Sequence, residues 1–262
     1  MTTPTASLSY RSPTEGIFAP EDYPDAPISI VCDATTPGAD LFGVMVAIGG
    51  DIPLHYHSMM EFQFVLSGTG LALDADGGEI PIAPGGTVLS PAGPAGAHGF
   101  RNTGPLPLTL LCIYPSPGGA TPDRSPFDAS ASPGPGPRSV YVAPAELQTA
   151  PGRSPGGDAA RGRIIDSRVA GAELVGELIS LPDRIALHYR DAFELVYVLT
   201  GVGDAVDAQG RGWALTPGGV LACPKGPAGA HLLRNAGSMP LQILSVFPSV
   251  DGAPVGSTTV AG

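Results

Sequence analysis

Five histidines are present in the 262 residues: His55, His57, His98, His188 and His231. His55 and His57 are two apart within the alternating run Leu54/His55/Tyr56/His57, so on a strand both imidazoles project from one face, inward if Leu54 and Tyr56 face out. Glu61 follows after a short turn, and His98 returns from a distant segment. Three imidazoles and one carboxylate brought together inside a β-barrel make a site for a borderline metal. Imidazole suits Zn, Cu, Fe and Ni, and the carboxylate compensates charge. Burying such a group without a cation is costly.

The histidines also report an internal repeat. GDIPLHYHSMMEFQFVLSGTGLALDADG (50–77) aligns without a gap on DRIALHYRDAFELVYVLTGVGDAVDAQG (183–210) at an offset of 133. The offset continues through 84–102 onto 217–235 and 107–116 onto 240–249, and a weaker echo precedes each unit at 18–27 and 142–151. Repeat mates are therefore His55 with His188, Glu61 with Glu194, and His98 with His231. Arg190 stands at the position of His57.

Elements that could position these residues are legible as strands. The β-rich run Phe62–Val65 and the alternation before it are bounded by Gly and Pro clusters every 8–12 residues, and no segment sustains an apolar period of 3.6. The 37 glycines and 30 prolines fit many turns. An all-β chain of two antiparallel barrels follows. Its expected divisions are an N-terminal extension (1–26), a first barrel with the metal site (27–117), a Pro/Gly-rich linker (118–140) whose composition supports no core, a degenerate second barrel (141–250) and a C-terminal tail (251–262).

Gly49, His55, His57, Glu61 and Gly68, followed by Gly85, Pro91, His98 and Asn102, resemble the two motifs of the cupin family. The resemblance covers both repeats and implies tandem cupin (jelly-roll) barrels, a bicupin similar to germin-like and quercetin dioxygenase-like metal-dependent members. It implies that His55, His57, Glu61 and His98 are four ligands to one divalent ion, Fe(II) first, with Mn, Ni, Zn or Cu as alternatives.

In the second copy a guanidinium cannot coordinate metal. Three states are open for His188, Arg190, Glu194 and His231: a metal-free barrel with an Arg190–Glu194 pair, a two-His, one-carboxylate site with Arg190 swung away, or a pocket in which Arg190 holds an anion. In the first copy Gln63, opposite Val196, is expected on the inward face of Glu61, where it could orient substrate. Met59 and Met60 could line the mouth, and Phe100 should point inward near His98. Asn102 and Asn235 read as turn or cap residues. Tyr56 and Tyr189 could carry protons only if the alternation fails.

Four protein ligands leave open positions on the ion, and the complex keeps about one positive charge, suited to a small anionic or chelating metabolite. An oxygen-dependent enzyme, with Glu61 as ligand and proton acceptor, comes first among the readings. A redox-neutral isomerase, cyclase, decarboxylase or hydrolase is second, and a binding protein third. The net charge of −11 argues against nucleic acid, whose phosphates require clustered Lys or Arg. Neither a leader-like start nor an apolar run of ~18 residues is seen, so the expectation is a cytoplasmic protein without membrane contact. Cys32, Cys112 and Cys223 lack paired spacing and read as reduced, buried thiols. Exposed sheet edges would favour a homo-oligomer.

Overall fold

The computed structural model describes residues 7–11, 17–18, 26–144, 150–154 and 157–260. The chain enters through β1 (Ser9–Arg11) and β2 (Ile17–Phe18). The first repeat then forms β3 (Ile28–Cys32), β4 (Leu41–Ile48), β5 (Asp51–Tyr56), β6 (Glu61–Ser67), β7 (Gly70–Asp74), β8 (Glu79–Ile82), β9 (Thr87–Ser90), β10 (His98–Asn102) and β11 (Leu108–Pro115). The connecting segment carries β12 (Ser125–Pro126) and β13 (Val140–Val142). The second repeat forms β14 (Ala150–Ser154), β15 (Gly157–Ile165), β16 (Leu174–Leu181), β17 (Arg184–Arg190), β18 (Glu194–Thr200), β19 (Gly203–Asp207), β20 (Gly212–Leu215), β21 (Val220–Cys223), β22 (His231–Asn235) and β23 (Leu241–Pro248), and β24 (Ser257–Thr259) follows. No α-helix occurs among the described residues, and none of their helices is long and apolar enough to cross a membrane.

Each repeat is a pair of antiparallel sheets. In the first, β12-β5-β10-β7-β8 faces β13-β9-β6-β11-β4-β3-β2; in the second, β24-β17-β22-β19-β20 faces β1-β21-β18-β23-β16-β15-β14. The two orders match strand for strand, with one exchange. β13, just before the second repeat, pairs with β9 of the first barrel, whereas β1 pairs with β21 of the second. Residues 9–11, read from sequence as an extension of the first barrel, thus complete the second.

Alternation along β6 separates two cores. Glu61, Gln63 and Val65 face the barrel interior, while Phe62 and Phe64 join Leu111, Ile113, Phe193, Leu195 and Val246 in a core shared by the two barrels. A strand buried on both faces has no polar side to show. β6 accordingly reads Glu-Phe-Gln-Phe-Val-Leu, with its first five residues all buried.

The expected linker is ordered. Ser125 and Pro126 pair with Tyr56 and His55, and the Phe127 N–H donates to the Leu54 carbonyl at 3.0 Å. Pro and Gly deny such a stretch a core of its own, but they do not prevent an edge strand from pinning it, and proline is tolerated there. The expected tail behaves alike, with β24 paired to β17. Both segments belong to one repeat unit, because the offset of 133 carries PSPGGATPDRSPF (115–127) onto PSVDGAPVGSTTV (248–260) without a gap. Each barrel is closed by an equivalent strap.

Candidate metal centre

A bulge aims the first ligand. In the β10–β5 ladder His98 pairs with His55 and Phe100 with Ile52, so Pro53 and Leu54 together oppose Gly99. The extra residue turns both Ile52 and His55 to the buried side. Gly99 permits it, since a Cβ there would lie 2.7 Å from the Ile52 carbonyl oxygen. His57 follows Tyr56, the last residue of β5, while Glu61 opens β6 and His98 opens β10.

The four side chains are all buried, and their candidate ligand atoms lie within 4.8 Å of one another. Each imidazole is fixed through Nδ1 by a backbone carbonyl: His55 to Pro53 at 2.9 Å, His98 to Gly96 at 3.1 Å, and His57 to Asp123. A proton held on Nδ1 leaves Nε2 as a lone pair, the arrangement found at metal-ligating histidines. Glu61 Oε2 lies 2.8 Å from His98 Nε2 and 3.1 Å from His57 Nε2. His57 Nε2 is buried without a hydrogen-bond partner of acceptable geometry. An orphaned lone pair beside two imidazoles and a carboxylate is satisfied by a cation, so these residues fit a divalent ion.

Proton affinities in the metal-free group follow from the same contacts. Burial, then the charge of His98, drives His55 down to about 2, against the pull of Glu61. Burial also opposes charge on His57 and Glu61, yet their mutual attraction wins: His57 is raised, and Glu61, which also feels His98, is held well below the usual carboxylate range. Tyr114 donates its hydroxyl to Glu61 Oε1 at 2.6 Å, and burial followed by the Glu61 charge keeps the phenol protonated far above its ordinary value.

A cavity of about 380 Å³ opens over this group. Ile28, Phe42, Val44, Val46, Ile48 and Leu110 wall it, Phe100 lines it as the sequence led us to expect, and the strap contributes Thr121, Pro122 and Arg124. Three other expected substrate contacts lie elsewhere. Gln63 does face inward, but it is fully buried against Ser90 at 3.3 Å and does not line the cavity. Met60 points away because Glu61 points in. It packs in the shared core, where its N–H donates to Glu173 at 2.8 Å. Met59 packs half-buried against the interior core without lining the cavity. Asn102 and Asn235 brace their hairpins by bonding Gly104 and Gly237 at 3.0 Å.

In the second barrel the backbone at Arg190 is held as at His57, its carbonyl accepting from Gly226 as that of His57 accepts from Gly93. The side chain therefore enters the donor group. Arg190 lies 3.3 Å from Glu194 and 3.5 Å from Glu177, with its guanidinium 4.4 Å from the Phe247 ring centre. Ser245 donates to the other oxygen of Glu194. Burial would raise Glu194, but Arg190 and then His231 bring it down to about 2. His188, Glu194 and His231 still converge. Of the three states open from sequence, this geometry is that of the Arg190–Glu194 pair, with Glu177 as an additional anion.

Sequence reasoning missed Tyr114, Asp123, Arg124, Glu173 and Glu177. A signal existed for two of them. Tyr114 is mated with Phe247, so the hydroxyl is present only in the copy with four ligands; Glu177 is a charge in the apolar run LVGELISL, mated with Val44.

Residues 43–114 match the family model described as Cupin domain. No curated protein sequence matches the chain. Among solved structures, oxalate decarboxylase of Lactobacillus farciminis in its formate complex superposes with a TM-score of 0.69 and 18% identity, covering 96% of this chain and 88% of that one. Procruciferin, an 11S globulin from Brassica napus, gives 0.69 and 14%, covering 99% and 87%. Bacillus subtilis oxalate decarboxylase, whose Mn(II) centres have been characterised, gives 0.68 and 16%, covering 98% and 81%. At such identities the likeness is one of fold. The chain has the fold of two tandem cupin barrels, with a buried three-histidine, one-glutamate group in the first.

Proposed function

We propose that the protein is a metal-dependent enzyme acting on a small anionic or chelating metabolite with an apolar body, and that its reaction consumes oxygen. The observation carrying this is the convergence of three buried imidazoles and the Glu61 carboxylate, with candidate ligand atoms within 4.8 Å of one another, at a cavity with largely apolar walls. His55, His57, Glu61 and His98 would hold one divalent ion, Fe(II) in the first instance. Such an ion supplies Lewis acidity and one-electron chemistry toward oxygen, and a donor set of this kind leaves it about one net positive charge to attract an enolate or carboxylate.

The chain's own residues do the rest. Aliphatic and aromatic walls hold the substrate body and exclude water, which strengthens electrostatic interactions inside. Glu61 would hold the ion through Oε2, which faces His57 and His98, and Tyr114 donates to Oε1 so that the carboxylate cannot rotate away.

A second reading, redox-neutral decarboxylation or isomerisation, is favoured by the Tyr114 hydroxyl, a proton-bearing group on the cavity wall beside Glu61. The fold likeness to oxalate decarboxylases points the same way. Oxalate itself is small and wholly polar, and the walls here ask for a larger, partly apolar substrate.

Elemental analysis of protein purified without added metal, joined to oxygen-electrode and product assays on hydroxy-keto and 2-oxo acid compounds, separates the readings. One equivalent of a redox-active metal with substrate-dependent oxygen uptake is expected. Turnover without oxygen uptake would establish the second reading, and substrate binding without turnover would make the chain a binding protein.

A further inference from the structure

Arg124 is the one Arg or Lys among the described residues lining the cavity. In a chain of net charge −11, a cation on a cavity whose walls away from the histidine–glutamate group are largely apolar is a specific feature. The strap fixes its place. β12 pairs with β5 immediately after it, and the Asp123 carboxylate before it accepts from the Ser58 N–H at 2.9 Å and the Ser58 hydroxyl at 2.7 Å. Arg124 lines the same cavity as His55, His57 and Glu61 while remaining exposed.

The second copy is an internal control. At the offset of 133, Asp123 and Arg124 are mated with Gly256 and Ser257, so the strap over the degenerate site carries no charge at these positions. Where four ligands are kept, a cation stands on the strap; where Arg190 replaces a ligand, its mate is neutral. The strap cation accompanies the open cavity.

We propose that Arg124 is a specificity-determining residue that bonds a carboxylate of the substrate, whose neighbouring carbonyl oxygen is presented to the metal group and whose aryl or alkyl body lies against Ile28, Phe42, Val44 and Val46. The ligand class is a 2-oxo acid with an apolar tail. A guanidinium matches a carboxylate with two parallel N–H donors. This assignment rests on the metal-dependent reading above.

Cobalt(II)-loaded full-length protein, titrated with phenylpyruvate and with its uncharged methyl ester and followed by the cobalt visible spectrum, tests it. Wild type should bind the acid about fivefold more tightly than the ester, the upper end for an exposed charge-assisted contact. Arg124→Gln should bring that ratio close to one with ester affinity unchanged, and Arg124→Lys should restore most of it. An unchanged ratio in cobalt-loaded Arg124→Gln overturns the assignment, as does wild type that binds neither probe. Cobalt uptake is measured first, so that failure of wild type to load, which would remove the metal reading and this one with it, is distinct from failure at Arg124 alone.

Discussion

Tyr114 hydrogen-bonds one oxygen of Glu61 while the other faces His57 and His98, so a single buried carboxylate joins the proton carrier to the ligand group. Tyr114→Phe removes the hydroxyl and leaves the ring, a change already present at Phe247 in the second copy. Loss of a positioned proton carrier costs about a hundredfold in rate at the low end. We expect kcat of Tyr114→Phe to fall by about that factor, with metal content unchanged and KM little altered; wild-type turnover in the metal-loaded variant would reduce Tyr114 to a packing residue. The ligands themselves were legible because spacing and repetition coincide at them. Tyr114 was not singled out, since a tyrosine near the end of the apolar run PLTLLCIYPS has the appearance of core; its mate Phe247 was the one sequence signal, and the contact with Glu61 gives that signal its meaning. Gln63 misled in the opposite sense. Its face was legible, but alternation gives the side of a strand and not which neighbour its side chain packs against, and Gln63 bonds Ser90 on β9 while its partner Cys112 on β11 lines the cavity.

At the scale of elements, the strap changes the meaning of the segment between the barrels. Composition identified it as a spacer because it has few apolar residues to bury, but backbone pairing and polar contacts hold it, and those leave little trace in composition. Its main service to the site is the Asp123 carbonyl, which accepts from His57 Nδ1, while the Asp123 side chain is anchored by Ser58. Groups that orient a ligand from behind commonly affect metal affinity by ten- to a hundredfold. Asp123→Ala spares the carbonyl and removes only the anchor, at an exposed position, so a smaller loss of about three- to tenfold is expected in competition titrations with a chromophoric chelator. Circular dichroism should be unchanged. Equal affinity in variant and wild type would mean that pairing of β12 with β5 suffices to hold His57.

At the scale of the whole molecule, the barrels are interlocked by the exchange of β1 and β13 and by the shared core around Phe62 and Phe193, a topology hidden from local patterns because each exchanged strand lies far in sequence from its partners. The two sites have nevertheless diverged, and a reciprocal exchange of one residue tests whether that divergence sets the metal count. His57→Arg places a permanent cation in the first donor group and is expected to abolish metal binding there. Arg190→His adds a third imidazole to His188, Glu194 and His231 in the second barrel, while Glu177 keeps Arg161 at 2.7 Å as a counter-charge. Removing one partner of a buried ion pair is destabilising by about 3–5 kcal/mol, which at roughly 2–4 °C per kcal/mol for chains of this size predicts a visibly lower Tm for metal-free Arg190→His. A metal that binds only the folded state should return much of that loss, since occupancy at a hundred times Kd contributes about 2.7 kcal/mol. The expected result is therefore a rise from one to two equivalents of zinc per chain in Arg190→His, together with a zinc-dependent Tm that recovers toward wild type. A count that stays at one would show that the arginine at the mate of His57 does not set the metal count, and would move attention to Glu177, which stands where the first barrel has Val44 on its cavity wall.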